Sequence, residues 1–341
     1  MKITRVDTTP APGASALVRL RTDEGITGVG QAGAAHAVVA EVVAAAIEPL
    51  LVGQDPLLIS RDAAMIGEVW EALHGAARGR AGAAEAVGGT DIALWDLLGK
   101  LTGQPLRRLL GTARLSARAC VAVSGGHEAE AAVAHGATAV KVRVGGDVVA
   151  DIALVTGIGA AVGSEVDIVV DGAGGYDRLD ALRMARALED VRVAWFEEPV
   201  RARNLTEYNA EHAWLAERVA IPLAGGKRLR TRYEFLEPLS RHAFDVLRPD
   251  CTVVGGISEA RKVAAMAAAW GIRCAPYSAG SPIAHSAALH VALSTPGAEP
   301  IEPGAPGTAP VQTTVRAGDG LGLGLPAASP VSRGMAVRVM V

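Results

Sequence analysis

Cysteine is scarce in this sequence of 341 residues: Cys120, Cys251 and Cys274 are the only three, and none sits in a CxxC pair. All three lie in strand-like segments. Buried free thiols and a cytoplasmic location are therefore expected, rather than a disulfide framework or a thiolate metal site. No run of Lys or Arg stands out and the formal net charge is −3, which argues against nucleic acid or an anionic membrane as partner. No apolar run is long enough to span a bilayer, and the start, MKITRVDTTPAPG, lacks the apolar block expected of a signal peptide. There is no GxGxxG opening a helix after the first strand. The Gly-rich GDGLGLGLP, residues 318–326, leads into no helix and reads as a loop. Aromatics are few and low-complexity tails or linkers are missing, but half the residues are apolar, enough for a large core.

What is present is a repeat. Eight strand-like runs, ARACVAVSG, AVKVRVG, VDIVVDG, AWFEEP, IPLAGGK, FDVLRPD, IRCAPYS and EPIEPG, fall between residues 117 and 304. Their centres are spaced about 22–27 residues apart, the length of one compact strand–helix unit. Amphipathic stretches such as DRLDALRMARALED and SEARKVAAMAAAWG fill the gaps. Such alternation predicts parallel strands, and eight of them predict a closed α/β barrel of the (β/α)7β TIM type, with an open doubly wound sheet as the alternative. The first 112 residues differ. SALVRLRT, a DEG turn and ITGVGQAG predict an antiparallel hairpin, and helices are expected over 36–51, 57–75 and 83–102. This predicts an α+β capping domain over 1–112, completed by 316–341 through the C-terminal MAVRVMV run, and a barrel over 113–315.

The C-terminal ends of barrel strands form the active face of such folds. The last polar residues of the eight runs are Lys141 and Arg143, Asp171, Glu197 and Glu198, Lys227, Asp250, Tyr277 and Glu302. Charged groups inside apolar runs are costly to bury unless paired or functional, so their recurrence at the period of the fold marks a pocket. His285 and His290 are five apart and do not make an i, i+4 ligand pair, so packing is the simpler role for both. Glu198 reads as a partner of a neighbouring cation or as a support behind the pocket residues, and Trp95 as a core residue of the cap.

The chain resembles the enolase superfamily in its mandelate racemase/muconate-lactonising branch. TDIALWDLLGKLTGQPLRRLLG resembles the end of the family's capping domain. VKVRVG, VVDGAGGYD, WFEEP, RPDCTVVGGISEA and SAGSPIAHSAALH resemble its barrel signatures. The resemblance implies removal of a proton α to a carboxylate, with the enediolate held on Mg²⁺. It implies that Asp171 and Glu197 are metal ligands, that Asp250 orients a histidine base and that Glu302 is a hydrogen-bonding acid. Lys141 matches a lysine position of the second strand, and Arg143 stands where a catalytic lysine often sits.

Three departures accompany the match. Lys227 stands where the third metal carboxylate is expected, Tyr277 where the histidine base is expected, and Ala173 where an asparagine is usual. Two carboxylates with one ammonium carry the same charge as three with Mg²⁺, so Lys227 is expected to replace the ion, leaving no tightly bound cofactor. Lys141, its pKa lowered by burial beside Arg143, is the expected base, with Tyr277 as proton donor or as packing. The expected function is α-proton abstraction from a small carboxylate, of the sugar-acid dehydratase or racemase type. The alternative is an inactive barrel that binds a ligand or partner. The expected partners are that small carboxylate and further copies of the same chain.

Overall fold

Alternating inward and outward side chains at the start of the chain build a three-stranded antiparallel sheet from β1 (Ile3–Ala11), β2 (Ser15–Thr22) and β3 (Thr27–Ala32), in that order. Its buried face, with Ala16, Val18 and Leu20, packs on the helix Ala83–Leu101. The approach is close because glycines line it. A Cβ on Gly28 or Gly30 would run into the carbonyls of Ala93 or Gly89, and one on Gly89 would sit 2.9 Å from Val18 Cγ2. On the opposite side of the same helix, a Cβ on Gly88 would lie 2.8 Å from the Gly256 nitrogen of the barrel. One helix thus serves both bodies. The computed structural model describes residues 1–59, 63–111, 114–278, 281–298, 300–302 and 313–325; the MAVRVMV run lies outside them.

The expected helices are found at His36–Val42, Val43–Ile47 (a π-helical turn), Glu48–Leu51, Pro56–Ile59, Ala63–Ala77 and Ala83–Leu101. Strand β1 was not anticipated. Pro10 and the mixed Thr/Arg/Asp content disguise it, and it lies at the sheet edge, where Pro is tolerated.

Strands β4 (Ser116–Arg118) and β5 (Val121–Val123) divide the first barrel run between them. Next come β6 (Ala139–Arg143), β7 (Asp167–Asp171), β8 (Val193–Glu197), β9 (Leu223–Gly225), β10 (Val246–Leu247) and β11 (Arg273–Cys274). They pair in parallel from β5 through β11 in chain order. The eighth run is reduced to one parallel bridge, Ala119 to Ile301, with Cys120 N donating to Ile301 O at 2.8 Å. Strand β12 (Thr314–Arg316) pairs antiparallel with β4. Beyond it, Gly322 and Leu323 dock on the cap helix, where Leu323 N donates to Asp96 Oδ1 at 3.0 Å. Side chains at the loops after the strands cap several barrel helices: Asp147, Asp177, Asn204 and Ser281 each accept from first-turn amides.

Alternation divides the barrel strands. Val140, Val142, Ile168, Val170 and Phe196 face the helices in the large core, which also takes in Trp95. Trp95 is thus shared with the barrel rather than confined to the cap, and its Nε1 donates to Ser258 Oγ at 3.0 Å. The barrel interior holds Cys120, Ala139, Val169, Trp195, Ala224, Val246 and Ala275. Small residues at three of these positions leave room for the indole.

Cap and barrel also meet through a buried acid. Asp91 accepts from Ser258 Oγ at 2.6 Å and from Ser258 N at 3.0 Å. Burial pushes its pKa up to about 7, against the lowering effect of those bonds. Between pH ~4 and 7 the unfolded chain has released this proton while the folded chain keeps it, so stability falls as pH rises through that window. Over about three pKa units the loss is on the order of 4 kcal/mol. Thermal unfolding of Asp91→Asn between pH 4 and 8 is expected to show a flatter profile and a variant more stable than the native chain at pH 8. Parallel profiles would contradict this.

Candidate active site

The barrel interior sets the positions of the charged groups. Two residues beyond Ala139, Val169, Trp195, Val246 and Ala275 come Lys141, Asp171, Glu197, Arg248 and Tyr277, all on the same inward face. A layer of small and apolar side chains is thus followed, toward the C-terminal end, by a ring of ionic ones. Lys227 joins from the loop just after β9, and Glu302 from the residue after the Ile301 bridge.

The ring is densely paired. Lys141 Nζ lies 2.8 Å from Glu302 Oε1, 3.0 Å from Asp171 Oδ2 and 3.3 Å from Glu197 Oε2. Lys227 Nζ lies 3.2 Å from Glu197 Oε1 and 3.4 Å from both Asp171 oxygens. Arg248, 1% exposed, pairs with Glu302 through a terminal nitrogen and sits with Nε 3.4 Å from Glu197 Oε2. Trp195 Nε1 donates to that same Glu197 oxygen at 3.3 Å, and Ala173 N to Asp171 Oδ1 at 3.0 Å. Three carboxylates face three cations, and every oxygen of Asp171 and Glu197 has a donor.

This arrangement corrects the expectation for Lys141. Arg143 is exposed at the end of β6 rather than packed against it. Burial alone would lower the Lys141 pKa, but Glu197, Glu302 and Asp171 outweigh burial and Arg248, and the value rises. Lys227 is raised in the same way, with Glu197 and Asp171 overcoming burial. Glu197 is fully buried, which would raise it, yet Arg248, Lys141 and Lys227 hold it well below the usual carboxylate range. At neutral pH the two lysines are ammonium ions and therefore proton donors.

Tyr277 covers the cluster. Its ring centroid is 5.0 Å from Lys227 Nζ and 5.8 Å from both Lys141 Nζ and the Arg248 guanidinium carbon, within cation–π range. Burial raises its pKa. Asp250 is bridged to Tyr277 through the backbone but serves its own helix, accepting from Thr252 N at 2.8 Å and Thr252 Oγ1 at 2.7 Å. Burial pushes its pKa up to about 6. His290 is buried and pushed down to about 4, while His285 is lowered by burial and faces Glu302 only as a minor influence.

Glu198 grips the turn that carries Lys227. Its Oε1 accepts from Tyr208 Oη at 2.9 Å, Gly226 N at 3.0 Å and Lys227 N at 3.3 Å. It does so from a left-handed backbone, φ 44°, a cost a non-glycine residue sustains only when its surroundings fix it. Ala173 is also left-handed, φ 50°, a conformation in which asparagine is better tolerated than alanine. Of the two roles expected for Glu198, support of the neighbouring pocket residues is the one that its hydrogen bonds to a phenol and two amides fill.

Arg248 is the member of the ring that reading the last polar residue of each run missed. The signal was available: counting by twos from the buried Val246 in FDVLRPD puts Arg248 inside before Asp250 is reached. Replacing Arg248 by Met leaves Glu197 and Glu302 short of a buried partner and is expected to cost about 3–5 kcal/mol, read as a lowered denaturant midpoint. A loss under about 1 kcal/mol would show that the pairing carries little of the site's stability.

Known proteins share this framework. Residues 5–111 match the mandelate racemase/muconate lactonizing enzyme N-terminal domain, and residues 126–325 match the enolase C-terminal domain-like model. The chain is 34% identical over 310 residues to a D-galactonate dehydratase of Verminephrobacter eiseniae, covering 85% of this chain and 78% of that one. An arabinonate dehydratase of Saccharolobus solfataricus is 33% identical over 291 residues, with 81% and 75% covered. A solved enolase-superfamily member from Polaromonas sp. JS666 superposes with a TM-score of 0.83 at 28% identity, over 99% of this chain and 98% of that one. With both domain models matched and these relatives spanning most of its length, the chain belongs to the mandelate racemase/muconate-lactonizing branch of the enolase superfamily.

Proposed function

We propose that this protein binds a small sugar-acid carboxylate in a metal-free site, with the Lys227 ammonium standing where related enzymes use Mg²⁺. The observation that carries the reading is the contact of Lys227 Nζ with Asp171 and Glu197 together. A hard dication needs several free oxygen ligands, and here each oxygen of those two carboxylates already accepts from a cation or an N–H group. Among the described residues, no group of three or more Asp, Glu, His or Cys is arranged to hold a metal. A dication about 4 Å from the ammonium would be repelled by roughly 8 kcal/mol at an effective dielectric of 20. The residues present do not fit the ion.

Substrate class follows from kinship with the galactonate and arabinonate dehydratases. Turnover is a separate matter. Lys141, Lys227 and Tyr277 donate protons, and Asp250 spends one oxygen on Thr252. Removing a proton α to a carboxylate requires an acceptor and strong enediolate stabilisation, and an ammonium is a weaker electrophile than Mg²⁺. The site is thus suited to holding a carboxylate and poorly suited to activating it. A second reading, a metal-independent dehydratase with Lys141 as base, draws on identity to the dehydratases and on the retained Asp171, Glu197, Asp250 and Glu302. Buried free cysteines suit the cytoplasm, and no helix among the described residues is long and apolar enough to cross a membrane.

Calorimetric titration separates these readings. The native protein is expected to bind no Mg²⁺ tightly and to bind a sugar acid equally well with and without EDTA. Lys227→Glu is expected to gain Mg²⁺ binding. Tight Mg²⁺ binding by the native chain would overturn the metal-free reading. In deuterium oxide, no exchange is expected at the α-carbon of a bound acid. Exchange that disappears in Lys141→Ala would establish the dehydratase reading instead.

A further inference from the structure

Every member of the ionic ring described above has a partner of opposite sign. Arg143 is outside that pairing. It is the next inward position on β6 after Lys141: Val140, Val142 and Val144 pack outward in the large core, while Ala139 belongs to the barrel interior. Its register partner is Asp171, whose own partner across β8 is Glu197, and residues in register on adjacent strands share a face. Arg143 therefore stands at the exposed end of β6, level in register with Asp171 and on the ring's own side of the sheet. It is exposed, and among the described residues it takes part in no ion pair or hydrogen bond.

The other carboxylates nearby are engaged. Asp171, Glu197 and Glu302 are held by Lys141, Lys227 and Arg248. Asp250 is turned to Thr252, and Glu198 to Tyr208 and the Gly226 and Lys227 amides. Arg228, the exposed cation after Lys227, lines a cleft with Arg203, Tyr208 and Arg230 and extends toward Gly174. Among the described residues, Arg143 is thus the cation on the inward face of β6 left to receive an incoming anion, and a guanidinium offers a planar fork matched to one carboxylate.

We propose that Arg143 is the carboxylate-binding residue of this site and that it selects acids over their neutral lactones. This rests on the reading of the barrel as a carboxylate site. A lactone offers the fork no charge.

The test is calorimetry with and without EDTA, using D-galactonate and D-galactonolactone as probes. The proteins are the native chain, Arg143→Gln, Arg143→Lys and, as a charge-matched control, Arg203→Gln. Galactonate is expected to bind the native chain and Arg203→Gln alike. Its affinity should fall about tenfold or more in Arg143→Gln and less in Arg143→Lys, which keeps the charge without the fork. The lactone should bind the native chain more weakly. Undiminished galactonate binding in Arg143→Gln, or lactone binding as tight as that of galactonate, overturns this proposal and leaves the metal-free reading standing. Native binding abolished by EDTA would sink that reading, and failure of both probes to bind would sink both.

Discussion

Lys227 and the two carboxylates it touches form the constraint around which the rest of this site is organised. Asp171 is nearly buried and Glu197 fully so, and two such charges placed close together without a cation are prohibitive in a barrel interior. Lysine is a sufficient answer only if its ammonium is delivered to the same point in space. The delivery is done by the turn after β9. Glu198 holds the Gly226 and Lys227 amides, and a Cβ on Gly225 would strike Phe244 and Tyr208. Three and five residues beyond Lys227, Arg230 pairs with Glu85 and Arg232 with Glu71, tying the segment to the cap. The cap therefore braces the loop that places the ammonium.

Around that contact the balance of charge differs from a simple exchange of ion for lysine. Arg248 and Glu302 add one charge of each sign and Lys141 one further positive charge, so the ring as a whole is neutral. A neutral, cross-linked ring can be buried at lower cost than a pair lacking one partner, but its groups lose chemical freedom. Lys141 is held as an ammonium by three carboxylates, and Glu197 is held ionised by three cations. The same pairing that makes the ring tolerable inside the barrel removes the neutral amine that a proton-abstracting site requires.

Much of this was legible in the sequence because the barrel repeats. The strand period located Lys141, Asp171, Glu197, Lys227, Tyr277 and Glu302 at one end of one sheet, and the structure brings all six together. What escaped was set by finer geometry. Arg248 was hidden by the more conspicuous Asp250 two residues on. Whether Arg143 would lie buried against Lys141 or exposed at the end of β6 depends on how far the barrel extends past the ring, which strand spacing does not encode. The hydrogen bonds of Glu198 depend on a left-handed turn that neither propensity nor pattern announces for a glutamate. The domain division at 112 and 316, and the fate of the C-terminal MAVRVMV run, remain expectations of the sequence.

The most direct measurement is a crystal structure of the native protein grown with millimolar Mn²⁺, a Mg²⁺ surrogate whose anomalous scattering marks its position. Continuous side-chain density from Lys227 to a point between Asp171 and Glu197, with no anomalous peak there, is the expected result. An anomalous peak coordinated by Asp171 and Glu197, with Lys227 turned away, would contradict the metal-free site.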